Sequence, residues 1–180
     1  TYGFNFEEKG INFIKVENLL DNGSIDIKNI PKISKECHEK LKRSQIEEND
    51  ILFSIAGSIG KTYIVNENLL PCNTNQALAI IRIIEDEYDK VFLRNYLNSY
   101  NVKKYIKRIS TIGAQPNMSL EQLGNLKIIL PPLIEQKKIA NILSSIDREI
   151  EEYEDEKRKL EELKKGLMQQ LLTGKIKVTI

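Results

Sequence analysis

Residues 135–172 contain no proline and one glycine, Gly166. That run constrains the fold more than any other feature. Ile139, Leu143, Ile146, Ile150 and Tyr153 are spaced four, three, four and three, the repeat of a coiled-coil seam. Continued strictly, the repeat reaches Lys157, Leu160, Lys164, Leu167 and Leu171. Two lysines interrupt it, and Leu163 and Met168 lie beside it, so the apolar stripe drifts. Glu154–Arg158, Asp155–Lys159 and Glu161–Lys165 place an acid one turn before a base, which supports an exposed helix face. Pro131-Pro132 precede the run, where proline is tolerated because first-turn N–H groups lack helical partners. Thr173-Gly174 ends it. At 1.5 Å per residue the helix is about 57 Å long. A chain of 180 residues cannot bury such a helix against its own domain, so a partner helix is expected, with Ile139, Leu143, Ile146, Ile150, Tyr153, Leu160, Leu163 and Leu167 forming the contact.

The chain before Pro131 has a different character. Short apolar runs are broken by Gly, Asn and Pro. Strands are expected at 12–16, 50–55, 61–65, 76–84 and 126–130, with turns at Asp21-Asn22-Gly23-Ser24 and Gly57-Ser58-Ile59-Gly60. Helices are expected at 34–44, at 89–100, and from Val102 through Tyr105 and Ile106 to Ile109. Ser119-Leu120-Glu121-Gln122 matches a capping box. The reading is an α+β fold: a mixed or antiparallel sheet domain over residues 1–134, then a long coiled-coil helix over 135–180.

Several chemistries find no support. Cys37 and Cys72 are the two cysteines and His38 the one histidine, so neither a disulfide framework nor a metal cluster is expected. Both cysteines read as reduced thiols of a cytoplasmic protein. No apolar run approaches the roughly 20 residues of a membrane span. Ala56-Gly57-Ser58-Ile59-Gly60-Lys61-Thr62 resembles the end of a phosphate-binding loop. However, Ile55 stands where that motif needs glycine, and β-branched residues follow where it needs a helix. The segment reads as a hairpin turn carrying one basic side chain. The lone histidine has no serine-nucleophile motif around it. Glu85, Asp86, Glu87 and Asp89 read as a solvated acidic turn. No glycine-rich cofactor loop is visible, and Leu130-Pro131-Pro132 is not the Asn-Pro-Pro-aromatic element of amino-methyltransferases. The chain therefore reads as non-catalytic, without cofactor or metal.

The net charge of +1 is low for a nucleic-acid-binding chain, but its distribution is uneven. From Lys90 to Leu120 there is no Asp or Glu, and the stretch holds Lys90, Arg94, Lys103, Lys104, Lys107 and Arg108. Such a region suits phosphate contact. Lys103, Lys104, Lys107 and Arg108 are the candidate phosphate or groove contacts. Ser58, Lys61, Gln115 and Asn117 sit in turns and are candidates for base edges, Gln and Asn being suited to adenine. The competing reading is a coiled-coil scaffold that binds protein rather than DNA.

Taken in order along the chain, several segments resemble one family. The segment Leu130-Pro131-Pro132-Leu133-Ile134-Glu135-Gln136-Lys137-Lys138-Ile139-Ala140 is similar to the start of a helical region in specificity subunits of type I restriction-modification systems. Ile146-Asp147 and the ending Leu171-Leu172-Thr173-Gly174-Lys175-Ile176 fit as well. So do Gly10-Ile11-Asn12-Phe13-Ile14-Lys15-Val16-Glu17-Asn18-Leu19-Leu20, Asn49-Asp50-Ile51-Leu52, Asn75-Gln76-Ala77 and Gly113-Ala114-Gln115-Pro116-Asn117. The resemblance implies a target recognition domain followed by a helical spacer. It implies double-stranded DNA as ligand, with each recognition domain reading half of a split target. It also implies docking of methyltransferase subunits, which supply S-adenosylmethionine chemistry, and of ATP-driven restriction subunits. Such subunits usually carry two units with antiparallel helices, and this chain holds one, so a homodimer is expected. Position 1 is Thr, and the family's usual opening segment is missing, so a truncated first strand is expected.

Overall fold

The computed structural model describes residues 5–109 and 117–177. Two compact units emerge, Thr1–Lys137 and Lys138–Ile180.

The first unit holds two small sheets. In one, β1 (Ile11–Ile14) lies between β2 (Lys32–Ile33) and β6 (Cys72–Thr74), and β3 (Gln45–Ile46) closes the far edge. β1 and β6 run parallel, Phe13 opposite Asn73, while the two outer pairings are antiparallel. The other sheet is antiparallel, with β4 (Ile51–Ser54) between β5 (Thr62–Ile64) and β7 (Leu78–Ile81). The fold is thus α+β with a mixed sheet.

Both sheets feed one core. Ile14, Ile46 and Cys72 from the first meet Leu52, Tyr63 and Leu78 from the second, together with Leu19, Val65 and Leu69 from the connections. Every residue of β4 is buried, as expected of a central strand covered on both faces. Phe13, Ile33 and Cys37 form a second cluster, and Cys37 comes from α1 (Lys35–Lys40). Ser34 caps α1 by accepting from the Cys37 amide at 3.1 Å.

Buried polar groups fix the joints. Asp50 is 1% exposed, and its carboxylate receives Arg82 Nε and Nη2, both at 2.8 Å, and the Glu47 amide at 2.7 Å. That fork pushes the Arg82 guanidinium pKa still higher. Asn73, fully buried, donates to the Leu41 carbonyl and Ser44 Oγ and faces His38 Nδ1 at 2.5 Å. His38 is therefore engaged in holding α1 to β6.

Three expected strands differ from the structure. The first ends at Ile14, because Asn18 Oδ1 accepts from the Lys15 amide at 2.9 Å and starts a 3-10 turn over Val16–Asn18. The strand expected at 76–84 shortens to Leu78–Ile81. Its front is a turn in which Asn75 Oδ1 accepts from the Ala77 amide, and its back is drawn off by Arg82 reaching Asp50. No strand forms at 126–130. Ile129 is 77% exposed, and the Tyr96 hydroxyl meets the Lys127 carbonyl and Ile129 amide at 3.4 and 3.3 Å, in place of a strand partner. That apolar run is a connector.

The helix expected at 34–44 stops at Lys40 and gives way to a 3-10 turn over Lys42–Ser44, and the later helices follow the sequence more closely. α2 (Lys90–Leu97) starts at Asp89, whose carboxylate accepts from the Phe92 amide at 2.8 Å, and it packs on β5. α3 (Tyr100–Ile109) follows, then α4 (Leu120–Gly124) with the expected Ser119–Gln122 capping box. α5 (Leu133–Leu172) is 40 residues long. Gln136 in its first turn is buried. Its amide donates to the Glu87 and Pro131 carbonyls and accepts from the Asp89 amide, pinning the acidic turn whose Glu85, Asp86 and Glu87 are exposed.

Most of the second unit is the remainder of α5. Ile139 is half-buried, and from Leu143 onward the seam is open, with exposure running from 40% at Leu143 to 64% at Tyr153. The ion pairs on it are Asp155–Arg158 at 2.7 Å and Lys157–Glu161 at 3.9 Å rather than the three acid-before-base pairs expected. Both are solvent-facing and contribute little. Gly174, at φ 71°, follows the helix end. No helix among the described residues is long and apolar enough to cross a membrane.

Candidate nucleic-acid interface

The candidate site gathers where β4 turns into β5. Ser54, fully buried at the end of β4, organises this turn. Its hydroxyl donates to the Ser58 carbonyl at 2.6 Å and accepts from the Lys61 amide at 2.8 Å, while its carbonyl takes the Gly60 amide at 3.0 Å. The Gly60 and Lys61 amides are thus engaged within the turn. β5 follows, not a helix, so Gly57 to Lys61 form a hairpin turn. Ser58 stands exposed at its tip.

α3 lies against this hairpin. Ile106 approaches so closely that a Cβ on Gly60 would sit 3.1 Å from its Cδ1, and Gly60 has φ 93°. The positive φ favours glycine there, and a Cβ would also press on the Ile106 side chain. Upstream, Asn98 donates to Thr62 Oγ1 at 2.7 Å. Val102 is buried and Tyr105, Ile106 and Ile109 are half-buried, so the helix turns its opposite side outward. Lys103, Lys104, Lys107 and Arg108 are all exposed, and Lys104 Nζ lies 6.0 Å from the Tyr100 ring centre.

A shallow cleft of about 240 Å³ brings Ser58, Lys61 and Lys103 together. Lys61 is already engaged within it. Its ammonium donates to the Leu19 carbonyl at 2.8 Å and pairs with Asp21 at 3.1 Å. Asn117 is exposed beside the hairpin, bridged to Ala56, and the next amide, Met118, donates to the Ile55 carbonyl at 2.8 Å. Gln115 lies outside the described residues.

The described residues hold no group of three or more His, Cys, Asp or Glu placed to bind a metal ion. Both cysteines are buried, and burial pushes the Cys72 thiol up to about 12 and raises Cys37, so neither offers a thiolate near neutral pH.

A two-sheet unit presenting an acid-free basic helix beside a polar hairpin, followed by a long helix with an open apolar seam, defines a recognition module. Residues 4–164 match the model of the type I restriction modification DNA specificity domain, and the chain belongs to that family. It is 36% identical over 133 residues to the specificity subunit of the type I restriction enzyme EcoBI of Escherichia coli, covering 72% of this chain and 27% of that protein. It is 32% identical over 177 residues to the MjaVIII specificity subunit of Methanocaldococcus jannaschii, covering 96% of this chain and 41% of that one. The chain thus spans well under half the length of these curated relatives. In fold it is similar to the crystal structure of the HsdS subunit from Thermoanaerobacter tengcongensis, at TM-score 0.60 and 22% identity, over 94% of this chain and 39% of that one. A chain from a structure of a type I R-M system matches at TM-score 0.61 and 22% identity, over 93% and 39%.

Proposed function

We propose that the chain reads one half of a split DNA target for a type I restriction-modification system. Residues 1–134 bind duplex DNA and residues 135–180 act as spacer and dimerisation helix. The carrying observation is the juxtaposition of α3 and the hairpin. Ile106 against Gly60 sets Lys103 beside Ser58, with Lys104, Lys107 and Arg108 on the same exposed side. Cations at these positions neutralise phosphates, and Ser58 and Asn117 meet the bases. Lys61 shapes the turn through Leu19 and Asp21. The chain itself performs no chemistry in this reading. Methyltransferase subunits dock on it, and restriction subunits join that assembly.

Charge pattern supports a second copy of the chain as partner of α5. Asp147, Glu149, Glu151, Glu152, Glu154, Asp155 and Glu156 make one half of the helix acidic. Lys157, Arg158, Lys159, Lys164 and Lys165 outnumber Glu161 and Glu162 and make the next stretch net basic. Antiparallel pairing about the Glu156–Lys157 step levels Glu149, Glu154, Asp155 and Glu156 with Lys164, Lys159, Arg158 and Lys157, while Glu151 and Glu152 meet Glu162 and Glu161 and Arg148 meets Lys165. It also levels Ile146 with Leu167, Ile150 with Leu163 and Tyr153 with Leu160. Parallel pairing would lay acid on acid. The recognition domains then sit at opposite ends of a ruler about 60 Å long, more than one DNA turn of roughly 34 Å, and read an inverted repeat across a fixed gap.

The test is selection from a randomised duplex pool by the purified chain, alone and with the methyltransferase subunit from the same genome. A two-part motif should be enriched. No enrichment at either low or moderate salt refutes the reading, and intact binding after charge reversal on α3 favours a protein-binding scaffold instead.

A further inference from the structure

One concavity of the first unit is lined by no residue of α3. It has a volume of about 660 Å³, its lining includes Leu41, Leu78 and Ile80 together with Arg43 and Gln76, and no carboxylate is among the lining residues. Its position follows from the strand register. Ser54 pairs with Leu78, so β7 begins at the end of the sheet where the β4–β5 hairpin turns. The turn that delivers β7 is closed by Asn75, whose side chain accepts from the Ala77 amide at 3.1 Å, and Ala77 is tied to the Ile55 amide at 2.8 Å. Gln76 is left exposed between them. Asn117 bridges Ala56 on the same side, and Leu120, three residues on, lines the cleft.

Other polar side chains that line the cleft are engaged within the fold: Ser44 donates to the Leu41 carbonyl, Thr74 to the Ile14 carbonyl, and Asn75 accepts from the Ala77 amide. Arg43 and Gln76 have no hydrogen-bond or ion-pair partner among the described residues. A free guanidinium and a free carboxamide in a cleft that also has apolar lining and no carboxylate match the edge of a base pair. Arg pairs with guanine O6 and N7, Gln with adenine N6 and N7, and an apolar wall receives the thymine methyl.

We infer that the Arg43–Gln76 cleft is a second base-reading element, built from the turn before β3, the β6–β7 turn and β7 rather than from the hairpin and α3. A duplex lying across this end of the three-stranded sheet meets Ser58 and Asn117 first and the cleft beyond them. The inference rests on the DNA-binding reading above and adds the residues that set part of its sequence preference.

The test is pool selection and titration with Arg43→Ala, Arg43→Lys, Gln76→Ala and Gln76→Glu in the full chain, with thermal melts to confirm folding. The alanine variants should lose roughly tenfold in affinity for the selected target and lose preference at one or two adjacent base pairs, leaving the other positions unchanged. Arg43→Lys keeps the charge and loses the fork, so it should relax the preference with a smaller loss of affinity. Gln76→Glu should move the preferred base at its position from adenine toward cytosine, a change that a merely structural role would not produce. If the wild-type motif is enriched and all four variants select it unchanged, the cleft is not a reading element, although the DNA-binding proposal stands. If the wild type enriches nothing, both fall.

Discussion

Ser54→Ala tests whether one buried hydroxyl shapes the hairpin. The substitution removes the oxygen that donates to the Ser58 carbonyl at 2.6 Å and accepts from the Lys61 amide at 2.8 Å. The Ser58 carbonyl is in an exposed turn and can turn to water. The Lys61 amide belongs to a half-buried residue and is less able to do so. At about 1 kcal/mol for each intramolecular hydrogen bond, with part of the desolvation cost of the Lys61 amide added, the loss is about 2 kcal/mol. For a protein of this size that lowers Tm by about 4–8 °C. The backbone bonds from Gly60 to the Ser54 carbonyl and from Ser54 to the Lys61 carbonyl remain, so the strands stay paired while the tip loosens. DNA affinity should fall more than stability alone predicts, because Ser58 is no longer held at one position. Thermal melting and target titration on the same preparation give both numbers. A Tm within about 1 °C of wild type, with unchanged affinity, would refute the role given to Ser54.

Reversing Lys103, Lys104, Lys107 and Arg108 to Glu should abolish measurable DNA binding. Single Lys→Ala changes should weaken binding to all sequences alike and reduce the slope of log affinity against log salt by about 0.9 for each phosphate that is no longer neutralised. The Cys72 thiol stays protonated to about pH 12 in the fold but ionises near its ordinary value when unfolded. The folded state therefore binds the extra proton above about pH 9, stability falls as pH rises through that window, and Cys72→Ala should flatten the fall in Tm; an unchanged slope would refute the assignment. Deleting the heptad 149–155 should shorten the gap between half-sites without altering the bases read, and a wild-type chain sedimenting as a monomer at tens of micromolar would refute self-pairing.

The sequence was most legible where one local rule sufficed. The long helix begins at Leu133 against an expected 135 and ends at the expected Leu172, because a proline pair and a Thr-Gly stop mark both ends. The Ser119–Gln122 box and the glycine hairpin are short-range motifs that formed as expected. β6 was missed because Cys72-Asn73-Thr74 lacks apolar alternation. It is a strand because β1, some sixty residues earlier, runs parallel to it and Thr74 Oγ1 donates to the Ile14 carbonyl at 2.8 Å. The strand expected at 126–130 failed for the converse reason: an apolar run with no neighbour to pair with stays a connector. Asn73 and Gln136 gave no signal, since a buried amide joining separate segments is visible only once those segments are assembled. On the candidate site, the facing of α3 followed from its apolar spacing, but the engagement of Lys61 did not, because its partners Leu19 and Asp21 lie some forty residues away.

The same contrast separates scaffold from surface. Where a polar side chain carries the fold, its partners are inside the protein: Asp50 with Arg82, Ser54 with its own turn, Lys61 with Leu19. Ser54 and Lys61 fix backbone at the hairpin end of the three-stranded sheet, and Asp50 with Arg82 fixes its other end. Where the exposed side chains of the same region have no such partner, as at Arg43 and Gln76, their substitution changes no internal bond. Turn tips supported in this way can vary in sequence while their backbone stays put. A recognition domain that must read different targets needs that arrangement, because base contacts come from side-chain identity and their register comes from a backbone that does not move. On this argument, exchanging residues at Arg43, Ser58, Gln76 and Asn117 should alter which bases are read at little cost to Tm, whereas changes at Ser54, Asp50 or Lys61 should lower Tm and weaken reading at every position together. Uniform loss of Tm across both sets would show that the region is one inseparable network.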